Sequence, residues 1–208
     1  MAAAIAANTK VVFIANPNNP TGTWFSRRVF ESFMAQVPES VLVVLDEAYV
    51  EYATDSHFMN GFDYVDKYPN LLVSRTFSKA YGLASLRVGY AIASPDVTNI
   101  LNRVRQPFNV NSFALAAAAA SLQDDEFVAQ SRALNSTGMA QLEAGLSALG
   151  LNYIPSKANF IAFDTGRPCL PVFNALLQQG VIVRPVANYG MPSYLRVSIG
   201  LESENARF

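Results

Sequence analysis

Short apolar runs, each broken by Asn, Pro, Gly or a charged residue, set the rhythm of the first half of the chain. Lys10 to Ala15 (KVVFIA) is apolar and stops at Asn16-Pro17, which predicts a strand ended by a turn. Phe30, Phe33, Met34 and Val37 recur at helical spacing. Val41 to Leu45 (VLVVL) is apolar without alternation, as in a parallel strand buried on both faces, and it ends at Asp46-Glu47. Leu71 to Ser74 and Arg87 to Ala93 predict two further strands. The alternation of strand and helix predicts an α/β layer with a largely parallel sheet. Ligands of such sheets sit beyond the carboxyl ends of the strands. Asn19, Asp46 and the stretch from Thr76 to Lys79 fall at those ends.

The character changes after Pro107. Ser112 to Leu122 predicts a helix whose alanines suit close packing. Met139, Leu142, Leu146 and Leu149 mark one face of a long helix closed by Gly150. A strand (Asn159 to Phe163), a helix with Phe173, Leu176 and Leu177 on one face, a strand (Val181 to Arg184) and an alternating strand (Tyr194 to Gly200) follow. These elements predict a smaller α+β domain over residues 109–208, after a first domain over 1–108. The Ala-rich opening, Met1 to Ala7, reads as helix and lacks the pattern of a signal peptide.

Composition narrows the function classes. With 51% hydrophobic and 15% charged residues and a net charge of −1, the chain is globular, and no basic stripe suggests nucleic acid. No apolar run approaches the ~20 residues that span a bilayer. Cys169 is the only cysteine, so a disulfide within the chain is excluded and a cytoplasmic location is expected. The single histidine, His57, lies in a polar stretch, and no convergent ligands point to a metal.

Three segments carry candidate chemistry. Asn16-Pro-Asn-Asn-Pro-Thr-Gly22 is a rigid turn that would hold Asn19 at a strand end, although a plain surface turn uses the same residues. Asp46, directly after an apolar strand, needs a partner such as a cationic ring nitrogen, or else caps a following helix. Glu47 beside it points to the opposite side of the strand, which argues against a carboxylate pair. Ser74 to Gly82 (SRTFSKAYG), followed by Leu86-Arg87-Val88-Gly89, gathers hydroxyls, a lysine and arginines. Hydroxyls and Arg suit a phosphate, and a lysine among cations is a nucleophile, but a solvated loop is the plain alternative.

NPNNPTG, DEAY and SKAYGLASLRVGY, in this order, resemble the fold-type I aminotransferases that use pyridoxal 5'-phosphate (PLP). RTFSKAYGLASLRVGYAIA, RQPFNVNS (Arg105 to Ser112), GVIVRP (Gly180 to Pro185) and YLRVSIG resemble the histidinol-phosphate aminotransferases within that family. The resemblance implies that Lys79 holds the cofactor covalently and moves the substrate proton. It implies that Asp46 keeps the pyridine nitrogen protonated, that Asn19 and Tyr49 contact the ring's phenolic oxygen, and that Thr76, Ser78 and Arg87 hold the phosphate. Arg196 resembles the arginine for the substrate carboxylate, and Arg184 is a second anion contact or a surface residue at a strand end. The implied reaction exchanges the amino group between L-histidinol phosphate and 2-oxoglutarate, giving imidazole acetol phosphate and glutamate. An aromatic amino-acid aminotransferase or a threonine-phosphate decarboxylase of the same fold shares the motifs.

Chains of this family are homodimers and substantially longer. The present chain therefore reads as part of a longer enzyme, with an incomplete closing helix after Leu201. Taken alone, it is expected to be aggregation-prone and to have little or no turnover, serving at most as a weak cofactor binder or a partner for another subunit.

Overall fold

The architecture was obtained as a computed structural model that describes residues 1–208. Four strands form the first sheet in the order β1-β2-β3-β4: β1 (Val11–Ala15), β2 (Leu42–Asp46), β3 (Leu71–Thr76) and β4 (Gly89–Ala93). β1, β2 and β3 run parallel, and β4 returns antiparallel to β3. The segment that carries Lys79 is thus the connection of an antiparallel pair, leaving β3 at Thr76 and rejoining the sheet at Gly89.

Helix α1 (Arg27–Met34) covers one face, where Phe30 and Met34 pack with Ile14, Val43, Leu45, Leu71 and Val73. The other face is barer. Phe13 is 76% exposed, and Leu42 and Val44 are only half-buried. The expectation that β2 is buried on both faces does not hold, because α1 and the turns after β2 lie on one side of the sheet. No helix of the structure is long and apolar enough to cross a membrane.

Helix α2 (Pro95–Val104) has no counterpart in the sequence reading, although Pro95 opens it, Asp96 lies in its first turn and Arg103 in its last. It buries no residue, although Val97, Ile100, Leu101 and Val104 recur at helical spacing along it. Helix α3 (Ser112–Ser121) lays Ala114 and Ala118 against Phe77 and Val88. The opening residues form only a 3-10 turn, Ala2–Ala4. A segment that short cannot offset the cost of nucleating a helix through local bonds alone.

Helix α4 (Asp125–Ala148) leads to a second, antiparallel sheet, ordered β5-β6-β8-β7: β5 (Tyr153–Ile154), β6 (Phe160–Asp164), β7 (Arg184–Pro185) and β8 (Tyr194–Ser198). Helix α5 (Cys169–Gln178) lies between β6 and β7 in sequence, and α6 (Glu202–Arg207) follows β8. Met139, Leu142 and Leu146 of α4 share a core with Ile161, Phe163, Leu195, Val197 and Cys169. Val181 to Val183, expected in a strand, lie outside β7, which pairs with β8 only at Arg184 and Pro185.

Backbone contacts divide the chain into two compact units, 1–16 with 25–128, and 17–24 with 129–208. The sequence reading drew its boundary at 108/109. Helix α3 falls in the first unit through its contacts with Phe77 and Val88.

Candidate active site

The first unit brings six of the expected residues together at the carboxyl ends of β2 and β3. Asp46 is the last residue of β2 and stands in register with Ser74. Its Oδ1 accepts the Ala48 N–H at 3.0 Å. The carboxyl is solvent-accessible, yet the surrounding protein raises its pKa by desolvation; the Ala48 N–H, the Ser74 hydroxyl and the Lys79 charge oppose that rise. The plain alternative, a helix cap, is not what the strand end shows: a turn follows, leading to a 3-10 segment at Val50–Tyr52.

Lys79 is exposed, with its Nζ 5.4 Å from the centroid of the Tyr49 ring. Its loop is pinned internally. Phe77 donates its N–H to Val88 O at 3.2 Å, Leu83 donates to Phe77 O at 2.9 Å, and Gly82 donates to Lys79 O at 2.9 Å. The Ser78 N–H donates to Thr76 Oγ1 at 3.1 Å. Arg87 Nη1 lies 3.5 Å from Ser78 Oγ and donates to Ala84 O at 2.8 Å. Arg87 sits in the left-handed region, at φ +54. That conformation costs a non-glycine residue on the order of 1–2 kcal/mol, and such strain collects where a side chain must be aimed. Two hydroxyls, a guanidinium, an amine, a carboxylate and a phenol thus lie near the ends of β2 and β3. This donor set fits a phosphorylated, ring-bearing aldehyde: cations and hydroxyls for the phosphate, an amine for the carbonyl, and an acid for a basic ring nitrogen.

The remaining three residues lie in the second unit. Arg196 of β8 donates from Nη1 to Asn19 Oδ1, and its guanidinium lies 4.6 Å from the centroid of the Phe160 ring. Arg184 stands directly opposite Arg196 across the β7–β8 pair. Like charges opposed in this way destabilise a sheet, and an anion between them would relieve the repulsion. Asn19 belongs to a tight turn. Asn18 accepts the Gly22 N–H at 2.6 Å through its carbonyl, and the Asn18 side chain donates to Thr21 Oγ1 at 2.7 Å. Gly22 is fixed by necessity, since its φ is +70 and an added Cβ would meet Ser156 Oγ at 1.9 Å.

Sequence reasoning missed the residues that hold the first group in place. Asn16 is fully buried; its Oδ1 accepts the Phe25 N–H at 3.0 Å and its own N–H donates to Asp46 O at 2.9 Å. Glu47, 0% exposed, does point away from Asp46, and its partner is Arg75. Arg75, one residue before Thr76, was the only available signal.

The α/β sheet, with polar and charged residues gathered where its strands end, can be set beside known proteins. Residues 1–207 match the family "Aminotransferase class I and II". The chain belongs to this family. It is 67% identical over 208 residues to histidinol-phosphate aminotransferase 2 of Pseudomonas fluorescens, covering 100% of this chain and 56% of the relative. The protein of the same name from Pseudomonas aeruginosa is also 67% identical, with the same coverage. Among solved structures, the histidinol-phosphate aminotransferase of Sinorhizobium meliloti in complex with pyridoxal-5'-phosphate superposes with a TM-score of 0.88 at 30% identity, covering 96% of this chain and 55% of that one. The chain thus spans 56% of the length of these curated relatives.

Proposed function

We propose that this chain supplies the cofactor anchor and the substrate-anion contacts of a PLP-dependent histidinol-phosphate aminotransferase. The observation that carries the reading is the grouping of Asp46, Tyr49, Thr76, Ser78, Lys79 and Arg87 at the ends of β2 and β3. When bound, PLP acts as an electron sink for the amino-group exchange.

The chain's own residues do the rest. Lys79 Nζ is the nucleophile that fixes the cofactor and then the base that carries the substrate proton, and its exposure leaves it room for both tasks. Asp46 holds a proton on the ring nitrogen; its raised pKa marks a carboxylate in need of a cationic partner. Tyr49, beside Lys79, donates to the ring's phenolic oxygen. Thr76, Ser78 and Arg87 bind the phosphate. On the motif resemblance alone, Asn19 is assigned to the ring oxygen. Arg196 is assigned to the substrate carboxylate, and Arg184, facing Arg196 across the strand pair, to a second anion such as the substrate phosphate. In this reading residues 1–108 belong to the cofactor domain and 109–208 to the small domain, and the enzyme is cytoplasmic.

The partner of the chain is a second copy. Apolar side chains on and after α2 stand in solvent, with Phe108 98% and Phe113 81% exposed and Ile100 and Val104 beside them in sequence. Such a surface calls for a partner.

Adding L-histidinol phosphate to the PLP-loaded chain tests the substrate. The cofactor's absorbance is expected to shift at a lower concentration of histidinol phosphate than of tyrosine or threonine phosphate. Equal or reversed potency would overturn the assignment.

A further inference from the structure

A buried ion pair lies behind the first group of site residues. Glu47 directly follows Asp46, and Arg75 directly precedes Thr76. Strand alternation turns both away from the side chains proposed to hold the cofactor. Glu47 Oε2 accepts Arg75 Nε at 3.0 Å and Nη2 at 2.7 Å, while its Oε1 accepts the Gly61 N–H at 2.6 Å. Arg75 Nη2 also donates to Asn60 Oδ1 at 2.6 Å, and the guanidinium stacks 3.6 Å from the centroid of the Phe62 ring. Tyr90 stands in register with Arg75 on β4, and the Arg75 charge opposes the rise that burial gives the Tyr90 pKa.

The location matters more than the strength. The β2–β3 register ends at Asp46 with Ser74, and the next backbone bond, Glu47 N–H to Ser74 O at 2.9 Å, is the last between the two strand ends. The ion pair closes over that bond. A buried ion pair contributes little stability over a well-packed apolar pair, and its attested use is to fix one arrangement among several. Burial raises the Glu47 pKa, and Arg75 and the Gly61 N–H pull it back down, so the acid is held at a cost that packing alone does not require.

We propose that Glu47 and Arg75 are positioning residues, a clamp that fixes the ends of β2 and β3 so that Asp46 and the Thr76–Lys79 segment present their cofactor contacts in one geometry. This rests on the cofactor reading given above for Asp46, Thr76, Ser78 and Lys79.

The test compares the parent chain with R75K, E47Q and the uncharged double variant E47Q/R75M, by two measurements. The first is amide hydrogen exchange of the cofactor-free chain. Exchange in the double variant is expected to speed up about tenfold at the Ala48 and Ser78 amides, which report the Asp46 and Thr76 side chains, while Val43 at the far end of β2 stays unchanged. R75K, which keeps the charge, is expected to lie between parent and double variant. Uniform acceleration across β1 to β3, or none at all, overturns the clamp, since a merely structural pair predicts one or the other.

The second measurement is the PLP dissociation constant by absorbance titration, expected to rise about tenfold in E47Q and in the double variant. Equal PLP affinity in parent and variants overturns the clamp and leaves the cofactor reading standing. A parent that binds no PLP overturns the cofactor reading, and the exchange pattern still decides whether the strand ends are clamped.

Discussion

Asp46 shows most clearly the tension between stability and function in single residues. Burial raises the pKa of its carboxyl, so the folded chain binds this proton more tightly than the unfolded chain does. The stability this provides is whole below the unfolded pKa of about 3.9 and is lost as pH rises through the folded value. Asp46→Asn removes the loss. The variant is therefore expected to be more stable than the parent at pH 7, with the difference vanishing in acid. Urea denaturation at the two pH values checks this, and a less stable variant at pH 7 would count against it. Asp46 and Thr76 to Lys79 stood out as candidates in the sequence because polar residues follow directly where an apolar strand stops, while their roles and that of Arg87 came from the family resemblance. Glu47 and Arg75 were not. Their bond joins positions on two strands, and no local pattern announces which buried acid will meet which cation. Asn16 read as a turn former, and its burial against Phe25 appears only when both sides of the 17–24 excursion are in place.

Among the elements, apolar pattern and burial do not always coincide. The strands β1 to β3 and the helices α1, α3 and α4 each lend buried residues to a core, whereas β4 buries none. Helix α2 carries Val97, Ile100, Leu101 and Val104 at helical spacing but buries none of them, and β7 is too short to show alternation. The same cores make sharp mutational predictions. Gly61 sits where an added Cβ would meet Glu47 Oε1 and Leu45 Cδ2 at 2.8 Å and Val73 Cγ1 at 2.9 Å. Gly61→Ala is expected to destabilise the chain by about 1–3 kcal/mol through overpacking, and thermal unfolding at the parent's Tm would refute that. In the second core, Leu146, 2% exposed, fills the space between α4 and β6. Leu146→Ala should cost about 2–5 kcal/mol, readable as a lower urea midpoint, and a cost below about 1 kcal/mol would show that the site collapses around the lost methyls.

For the molecule as a whole, the telling feature is what the first unit leaves uncovered. Phe108, with φ +55, and Phe113 stand almost free in solvent beyond α2. If they form the surface that meets a second copy, the parent sediments as a dimer. The double substitution Phe108→Ser, Phe113→Ser should then sediment as a monomer with an unchanged circular dichroism spectrum. A parent that stays monomeric at high concentration would set the dimer aside. The sequence could flag Phe108 only as an apolar residue between helices and Phe113 only as one near the start of α3; their exposure depends on α2 and α3 burying so little around them.

The central claim is that Lys79 is the covalent anchor of PLP. Incubation of the chain with PLP, borohydride reduction and peptide mass mapping test it directly. The added mass is expected on the peptide that contains Lys79 and on none of those with Lys10, Lys67 or Lys157. Label spread evenly over the four lysines, or label that persists unchanged elsewhere in Lys79→Ala, would contradict it.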